Sequence, residues 1–372
     1  MYFTNIFKNI GWLFGLLLAS SVSIIASYSA EWIGEDFLGF NRSPISDIMM
    51  AIVIGMIIAN TIPLKKTIQS GLKFCASTIL RVGIMFLGIR LSLFGAGQFT
   101  LVALPFVIIA ITIGLITVRM LGRSMKLSPQ LTGLIAVGTS ICGATAIVAT
   151  APLIKAKEAE VSYAIACITI FGLAAMFSYP FLAHYLFSDQ PVMAGLFLGT
   201  SIHETAQVAG AGLMYQSQYD APIALDIATV TKLVRNLCMI AVIPLVGILY
   251  GQQNQLTKSK NKWSWLAMIP WFIVGFAIMS AIRTIGDLSE TPFGLINLNQ
   301  WNELVLMIKS LAEKLLLIAM SAVGLTSFFR GMKDIGIRPF MLGLFAAILI
   351  GFISLISIAV FADDLLNFFE LV

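Results

Sequence analysis

The sequence predicts an all-α polytopic membrane protein, and three observations carry that prediction. Of its 372 residues, 59% are hydrophobic and only 11% are charged, against about 25% charged in an ordinary soluble domain. Mean hydropathy is +0.95, and the apolar residues fall into about eleven runs, most of them near the ~20 residues that a bilayer-spanning helix needs. Inside two of these runs a pattern repeats: G-T-S-I-C-G-A-T-A-I at 138–147 and G-T-S-I-H-E-T-A-Q-V at 199–208.

The runs cover 11–29, 48–62, 74–94, 101–118, 130–152, 161–187, 192–214, 223–250, 264–285, 304–328 and 340–361. The first follows Lys8 and could pass for a signal peptide. It is long enough to span, and Tyr28 is a poor residue three positions before a cleavage after Ala30, so it is read as a helix. The second is short and is expected to tilt or extend at its ends. Every loop is under about twenty residues, so a single integral membrane domain over 1–372 is expected, with no soluble domain appended. Cys75, Cys142, Cys167 and Cys238 all fall in apolar segments, which indicates no disulfide framework. The net charge of +5 is a topology signal, not a nucleic-acid footprint, because the basic residues lie mostly in short loops.

Loop charges orient the segments. The loop with Glu31, Glu35, Asp36 and Asp47 is acidic, and the next carries Lys65, Lys66 and Lys73. Basic loops follow the fourth (Arg119, Arg123, Lys126), eighth (Lys258, Lys260, Lys262) and tenth (Arg330, Lys333, Arg338) segments. Acidic ones follow the ninth (Asp287, Glu290, Glu303) and close the chain (Asp363, Asp364, Glu370). The positive-inside rule then puts the N-terminus in the cytoplasm and the C-terminus outside. Lys155, Lys157 and Asp189 obey it only if the fifth and seventh segments are re-entrant hairpins; as spanning helices they break it. Glu158 and Glu160 beside the lysines weaken that choice, so broken spanning helices and re-entrant hairpins both stay open.

The repeated motifs are where the helices should break. Glycine is costly inside a helix, and Ser and Thr hydroxyls compete for backbone groups. A bilayer tolerates broken backbone only where protein or a water-filled cavity satisfies it, and two breaks in related positions point to a transporter site. Close helix packing through small residues is the plainer reading, but it does not explain a repeated pattern whose second copy adds His203 and Glu204. A fainter similarity, L-R-V-G-I-M-F-L-G-I-R-L-S-L-F-G (80–95) against I-A-M-S-A-V-G-L-T-S-F-F-R-G-M-K (318–333), joins segments of opposite direction. It fits an inverted-topology repeat with halves near 1–157 and 192–372.

Charges within bilayer segments are usually functional. Arg90 lies near a helix end and is expected to snorkel, Asp226 suits a helix N-terminus, and Lys309 and Glu313 are spaced to pair, with Lys314 beside them. Arg81, His203, Glu204, Lys232 and Arg235 are harder to dismiss. Lys232 and Arg235 are three apart and share a helix face, with Asn236 adjacent and Gln207 one turn after His203. An ion pair of Glu204 with Arg81 or Arg235 is the purely structural alternative. The functional reading is a midplane anion site built from Thr139, Ser140, Cys142, Gly143, Thr200, Ser201, His203, Lys232, Arg235 and Asn236. Helix-start N–H groups, hydroxyls and a guanidinium fork would serve an anion. Cys142 is more simply a small packing residue than a reactive thiol. Glu204, His203 and Gln207 form the candidate coupling group, carrying a proton; Na⁺ on unwound carbonyls and hydroxyls competes.

The two motifs, together with T-K-L-V-R-N at 231–236 and D-I-M-M-A-I-V-I-G-M-I-I-A-N at 47–60, resemble the YeiH family of bacterial inner-membrane proteins, described as sulfate exporters. The resemblance runs over nearly the whole chain. It implies membership of the cation–proton antiporter and bile-acid symporter superfamily, with inverted repeats and helices broken at a central crossing. It also implies sulfate or small sulfonates as the substrate class. The expected protein is an ion-coupled secondary transporter of a small anion in the bacterial inner membrane. Its partners are that anion, a proton or Na⁺, and the lipid bilayer, with a homodimer as the candidate assembly and no nucleic acid. A cation–proton or Na⁺-coupled carrier of another substrate is the alternative, against which the basic residues speak. An ion channel fits the internal symmetry less well than alternating access does. No enzyme is expected: His203-Glu204 is not H-E-x-x-H, because position 207 is Gln, and neither Cys/His zinc spacing nor a Walker A motif occurs. No cofactor and no metal centre are expected.

Overall fold

The computed structural model describes residues 10–37, 46–250, 269–289, 291–327 and 336–369. Within them every regular element is helical. Several expected topology charges (Lys8, Lys258, Lys260, Lys262, Glu290, Arg330, Lys333, Glu370) and the end of the 318–333 similarity lie outside the described residues. Among the described residues, six helical stretches are long and apolar enough to cross a bilayer: Trp12–Phe37, Lys66–Arg90, Leu93–Ser124, Glu158–Phe187, Pro222–Gly247 and Ile337–Phe368. Asp47–Thr61 and Pro191–Ser201 are shorter apolar helices. The chain is a multi-pass membrane protein.

The chain divides into two compact units, residues 1–95, 213–222 and 271–333, and residues 96–212, 223–270 and 334–372. The first unit contains α1 (Ile10–Glu31), α2 (Asp47–Thr61), α3 (Lys66–Phe74), α4 (Leu80–Leu87), α13 (Trp271–Asp287) and α14 (Leu298–Thr326). A π turn over Cys75–Ile79 joins α3 to α4, and a 3-10 turn, Gly88–Arg90, follows. α14 packs along α2 and α4, and α1 packs on α2 and α3. The α2–α14 crossing is close because both helices offer glycine there. A Cβ on Gly55 would lie 2.8 Å from the Leu325 nitrogen, and one on Gly324 would lie 2.4 Å from the Ile52 carbonyl. Asn60 ties the same helices, donating to the Met56 and Ser327 carbonyls at 2.9 and 3.0 Å.

The second unit contains most of α5 (Leu93–Ser124), then α6 (Pro129–Ser140), α7 (Ala144–Thr150), α8 (Glu158–Phe187), α9 (Pro191–Ser201), the start of α10 (Thr205–Tyr219), α11 (Pro222–Leu237), α12 (Met239–Tyr250) and α15 (Ile337–Phe368). Three of these are buried on all sides: Leu131–Ser140, Met193–Ser201 and Ala224–Asn236. A helix buried all round reads as apolar all round, which is why α6 and α9 look like any spanning segment in the sequence. α6 and α9 each pack on α8 and α15. The apolar run 223–250 is two helices, α11 and α12, parted at Cys238.

Candidate functional site

Both repeated motifs lie where helices stop. α6 begins with Ser128 capping Leu131 and Pro129 at its first position, the arrangement that suits a helix start. It ends at Ser140, where Ile141 turns to φ −121°, ψ −93°. Gly143 then takes φ 65°, ψ −128° before α7 starts at Ala144, a conformation open to glycine alone. α9 ends at Ser201, Ile202 is extended at φ −82°, ψ 138°, and α10 starts at Thr205.

Each break leaves carbonyls at a helix C-terminus that need donors. α11 supplies them. Lys232 and Arg235 are both 0% exposed. Lys232 Nζ donates to the carbonyls of Ile141 (3.0 Å), Ile202 (2.9 Å) and His203. Arg235 Nε donates to Ser140 (2.9 Å), Nη1 to Thr200 (2.6 Å) and Ile202 (3.1 Å), and Nη2 to Thr139. Two cations thus close the C-terminal ends of both broken helices, where positive charge is favoured by the helix dipole.

The hydroxyls of the motifs are turned onto their own helices. Thr139 donates to the Ile135 carbonyl (2.8 Å), Thr200 to Leu196 (2.7 Å) and Ser201 to Phe197 (2.5 Å). Ser140 faces α5, its Oγ 2.6 Å from where a Cβ on Gly114 would stand. Cys142 is buried, and its Sγ lies 3.1 Å from Met239 Sδ on α12.

Glu204 lies beside the other break. Its Cγ would be 2.4 Å from a Cβ on Gly143, so the glycine is required by space as well as by its φ. Among the described residues Glu204 forms no ion pair, with Arg235 or any other cation; Arg81 lies in the first unit, 6.0 Å from the centre of the Phe272 ring. Gln207 accepts from the Glu204 backbone N–H (3.3 Å) and donates to the Thr169 carbonyl on α8 (3.3 Å). It fits only because residue 172 is Gly: a Cβ there would lie 2.0 Å from Gln207 Oε1. Asn236 Nδ2 donates to Thr205 Oγ1 at the start of α10 (3.1 Å). Its Oδ1, both ring nitrogens of His203 and the hydroxyls of Ser140 and Thr231 are buried without a hydrogen-bond partner among the described residues. Such clustering of unmet polar groups is unusual in a folded interior.

All the expected site residues therefore belong to the second unit, at or beside the two breaks. Thr205, Met239 and Gly172 are additions. Thr205 was open to discovery from its place in the second motif, whereas Met239 and Gly172 look like ordinary apolar-helix residues. Asp226 is buried on α11 in the second unit, and the first unit holds Arg81, Arg90, Lys309, Glu313 and Lys314. Arg90 does not snorkel: its side chain is 6% exposed and its Nη1 pairs with Glu313 Oε1 at 3.0 Å. Its Nη2 donates to Gln216 Oε1 (2.9 Å) and the Pro222 carbonyl (3.2 Å), while Gln216 Nε2 donates to Glu313 (2.9 Å). The carboxylate expected to serve Lys309 within its own helix thus serves Arg90 and Gln216. Glu313 and Lys314 also line a cavity of about 520 Å³ with Asp47, Gln216 and Asp220.

A family model described as conserved hypothetical protein 698 matches residues 14–343. A UPF0324 membrane protein of Oceanobacillus iheyensis is 37% identical over 318 residues, 83% of this chain and 87% of that one. One from Bacillus anthracis is 32% identical over 342 residues, 92% of each chain, and one from Pasteurella multocida is 33% identical over 306 residues, 80% of this chain and 84% of that one. No solved structure matches the chain. The chain belongs to the UPF0324 family, conserved hypothetical protein 698, which is the YeiH-type family of membrane proteins.

Proposed function

We propose that the chain is a secondary active transporter of a small anion of the sulfate or small sulfonate class, a carrier with no enzymatic step, working by alternating access with the two helix breaks as its substrate and coupling site. The observation that carries this reading is the pair of buried cations, Lys232 and Arg235, set across both breaks with one carboxylate, Glu204, nearby. Two positive side chains against one carboxylate leave a surplus of one positive charge in a buried setting, which favours an anion.

The donors that meet the anion are the backbone N–H groups at the start of α10, the Thr205 hydroxyl, His203 and Asn236. Thr139, Ser140, Cys142, Gly143, Thr200 and Ser201 form the frame, and Lys232 and Arg235 act through their charge. Their N–H groups are engaged with carbonyls. That engagement also weighs against the alternative of a Na⁺ site made from the same carbonyls. Glu204, His203 and Gln207 form the coupling group. The two breaks belong to broken spanning or re-entrant segments of inverted repeats near 1–157 and 192–372. In support, each compact unit takes helices from both halves of the chain. The setting is the bacterial inner membrane, N-terminus inside and C-terminus outside, with a homodimer as the candidate assembly.

The test is a thermal-shift panel on the purified protein with sulfate, sulfite, thiosulfate, taurine, sulfoacetate, dicarboxylates and Na⁺, followed by flux of any hit in proteoliposomes. A ligand that binds the native state raises its apparent stability. Stabilisation and flux by a sulfur oxyanion support the reading; stabilisation by Na⁺ alone, or no anion flux, overturns it.

A further inference from the structure

The connection between α13 and α14 is firmly braced, yet it leaves large apolar side chains outside. Trp301 is 2% exposed and its Nε1 donates to Asp287 Oδ1 at 2.8 Å, while Asp287 Oδ2 pairs with Arg283 Nε at 2.5 Å. Gly286 admits the indole, since a Cβ there would lie 2.2 Å from the ring. Phe293, at φ 57°, ψ 9°, meets Trp301 edge-on with ring centres 5.6 Å apart. Asn297 and Gln300 cap the start of α14 reciprocally. Held this way, Leu288 is 77% exposed, Leu295 85%, Phe293 47% and Leu298 43%. Fixing leucines outward in water is unfavourable, and such a patch marks an apolar partner.

The helix before it names that partner. Trp271, Val274, Ile278 and Ile285 are exposed on α13. Their spacings of three, four and seven residues put them on one face. Leu288, three residues on, continues the same stripe past the helix end. A continuous apolar stripe on a helix of a multi-pass membrane protein suits contact with lipid, so the loop extends that apolar surface instead of starting a separate one. Exposed Ser289, Thr291 and Asn297 interleave with the apolar residues, a mixture suited to the headgroup boundary. We propose that Leu288, Ser289 and the 291–298 stretch lie in the lipid headgroup–acyl boundary, with Leu288, Leu295 and the outer edge of Phe293 inserted, and anchor the first unit at that depth.

The test uses the full-length protein in lipid nanodiscs. Cys75, Cys142 and Cys167 are buried, so a Cys238→Ser background suits thiol labelling. Leu295→Cys carries an environment-sensitive fluorophore, and Phe352→Cys, 60% exposed midway along α15, is the deep control. The Leu295 label should emit to the blue of its value in water. It should lose more emission to lipids with a nitroxide near the headgroup than to lipids with one near the chain end, and the Phe352 label should show the reverse order. A water-like spectrum insensitive to both nitroxides overturns the proposal. So does quenching of the two labels with the same depth order, or efficient oxidative cross-linking of the unlabelled Leu295→Cys protein to a second copy.

Discussion

Lys232 and Arg235, one helical turn apart on α11, both donate to the carbonyl of Ile202. That shared acceptor makes them one device: each also reaches the first break, Lys232 at Ile141 and Arg235 at Ser140. Neither is a bystander that packing could replace, because removing one partner of a buried polar network leaves the other groups unsatisfied.

The first prediction separates their geometry from their charge. Arg235→Lys keeps the charge but loses the planar fork that spans Ser140, Thr139 and Thr200. It should cost about 2–4 kcal/mol of stability through carbonyls left without donors. Lys232→Met should cost a similar amount while also removing a charge. Thermal unfolding in detergent reads both. An Arg235→Lys protein as stable as wild type would show that the fork is not what holds the breaks.

Gly143 gives the second. Gly143→Ala meets two obstacles, a φ of 65° with ψ −128° and a Cβ 2.4 Å from Glu204 Cγ. The backbone conformation alone costs about 1–3 kcal/mol. Adding Glu204→Ala should relieve the contact but not the backbone, so the double variant should regain only part of the lost stability. Full recovery would place all the cost in the contact, and none would place it all in the backbone.

The third concerns Arg90 and Arg235 as a pair of controls. Arg90→Ala strips Glu313 and Gln216 of a donor in the first unit and should lower thermal stability by about 1–3 kcal/mol. It should leave the stabilisation produced by a bound anion near the wild-type value. Arg235→Ala should reduce that ligand-induced shift sharply, since it removes charge at the breaks. An anion response lost equally in both proteins would mean that the second unit alone does not hold the site.

Much of this arrangement was legible in the residues. Gly-Thr-Ser inside an apolar run marks a helix that is poorly placed to continue, and both marked helices stop there. Lys232 and Arg235 at a three-residue spacing had to share a face. Their acceptors were not legible, because a backbone carbonyl carries no residue-type signature; that both cations would serve helix ends follows only once two ends meet. Arg90 pairs with a residue 223 positions away, and a sequence window sees only Lys309 one turn before Glu313. The break at Cys238 likewise has no glycine or proline at the point where α11 gives way to α12.

The last prediction concerns coupling. Glu204 stands where the second motif departs from the first, C-G in one copy and H-E in the other, and it contacts the Gly143 turn of the opposite break. The charged group that acts on it is Lys232 of α11, with Arg235 one turn further along that helix and His203 beside it in the chain. Anion binding would offset that positive field and make a proton on Glu204 more favourable. Proton and anion would then strengthen each other's binding by one coupling free energy, the balance required for symport, with net direction set by the gradients. If one proton is taken up with the anion, affinity should rise by up to about tenfold for each unit that pH falls. Anion affinity measured from about pH 5 to 8 in wild type, Glu204→Gln and His203→Ala tests this linkage. Glu204→Gln should flatten the profile while binding persists, and His203→Ala should leave the slope in place if Glu204 carries the proton. A flat wild-type profile would sink coupling through this pair, and a slope untouched by both substitutions would move the proton to another group.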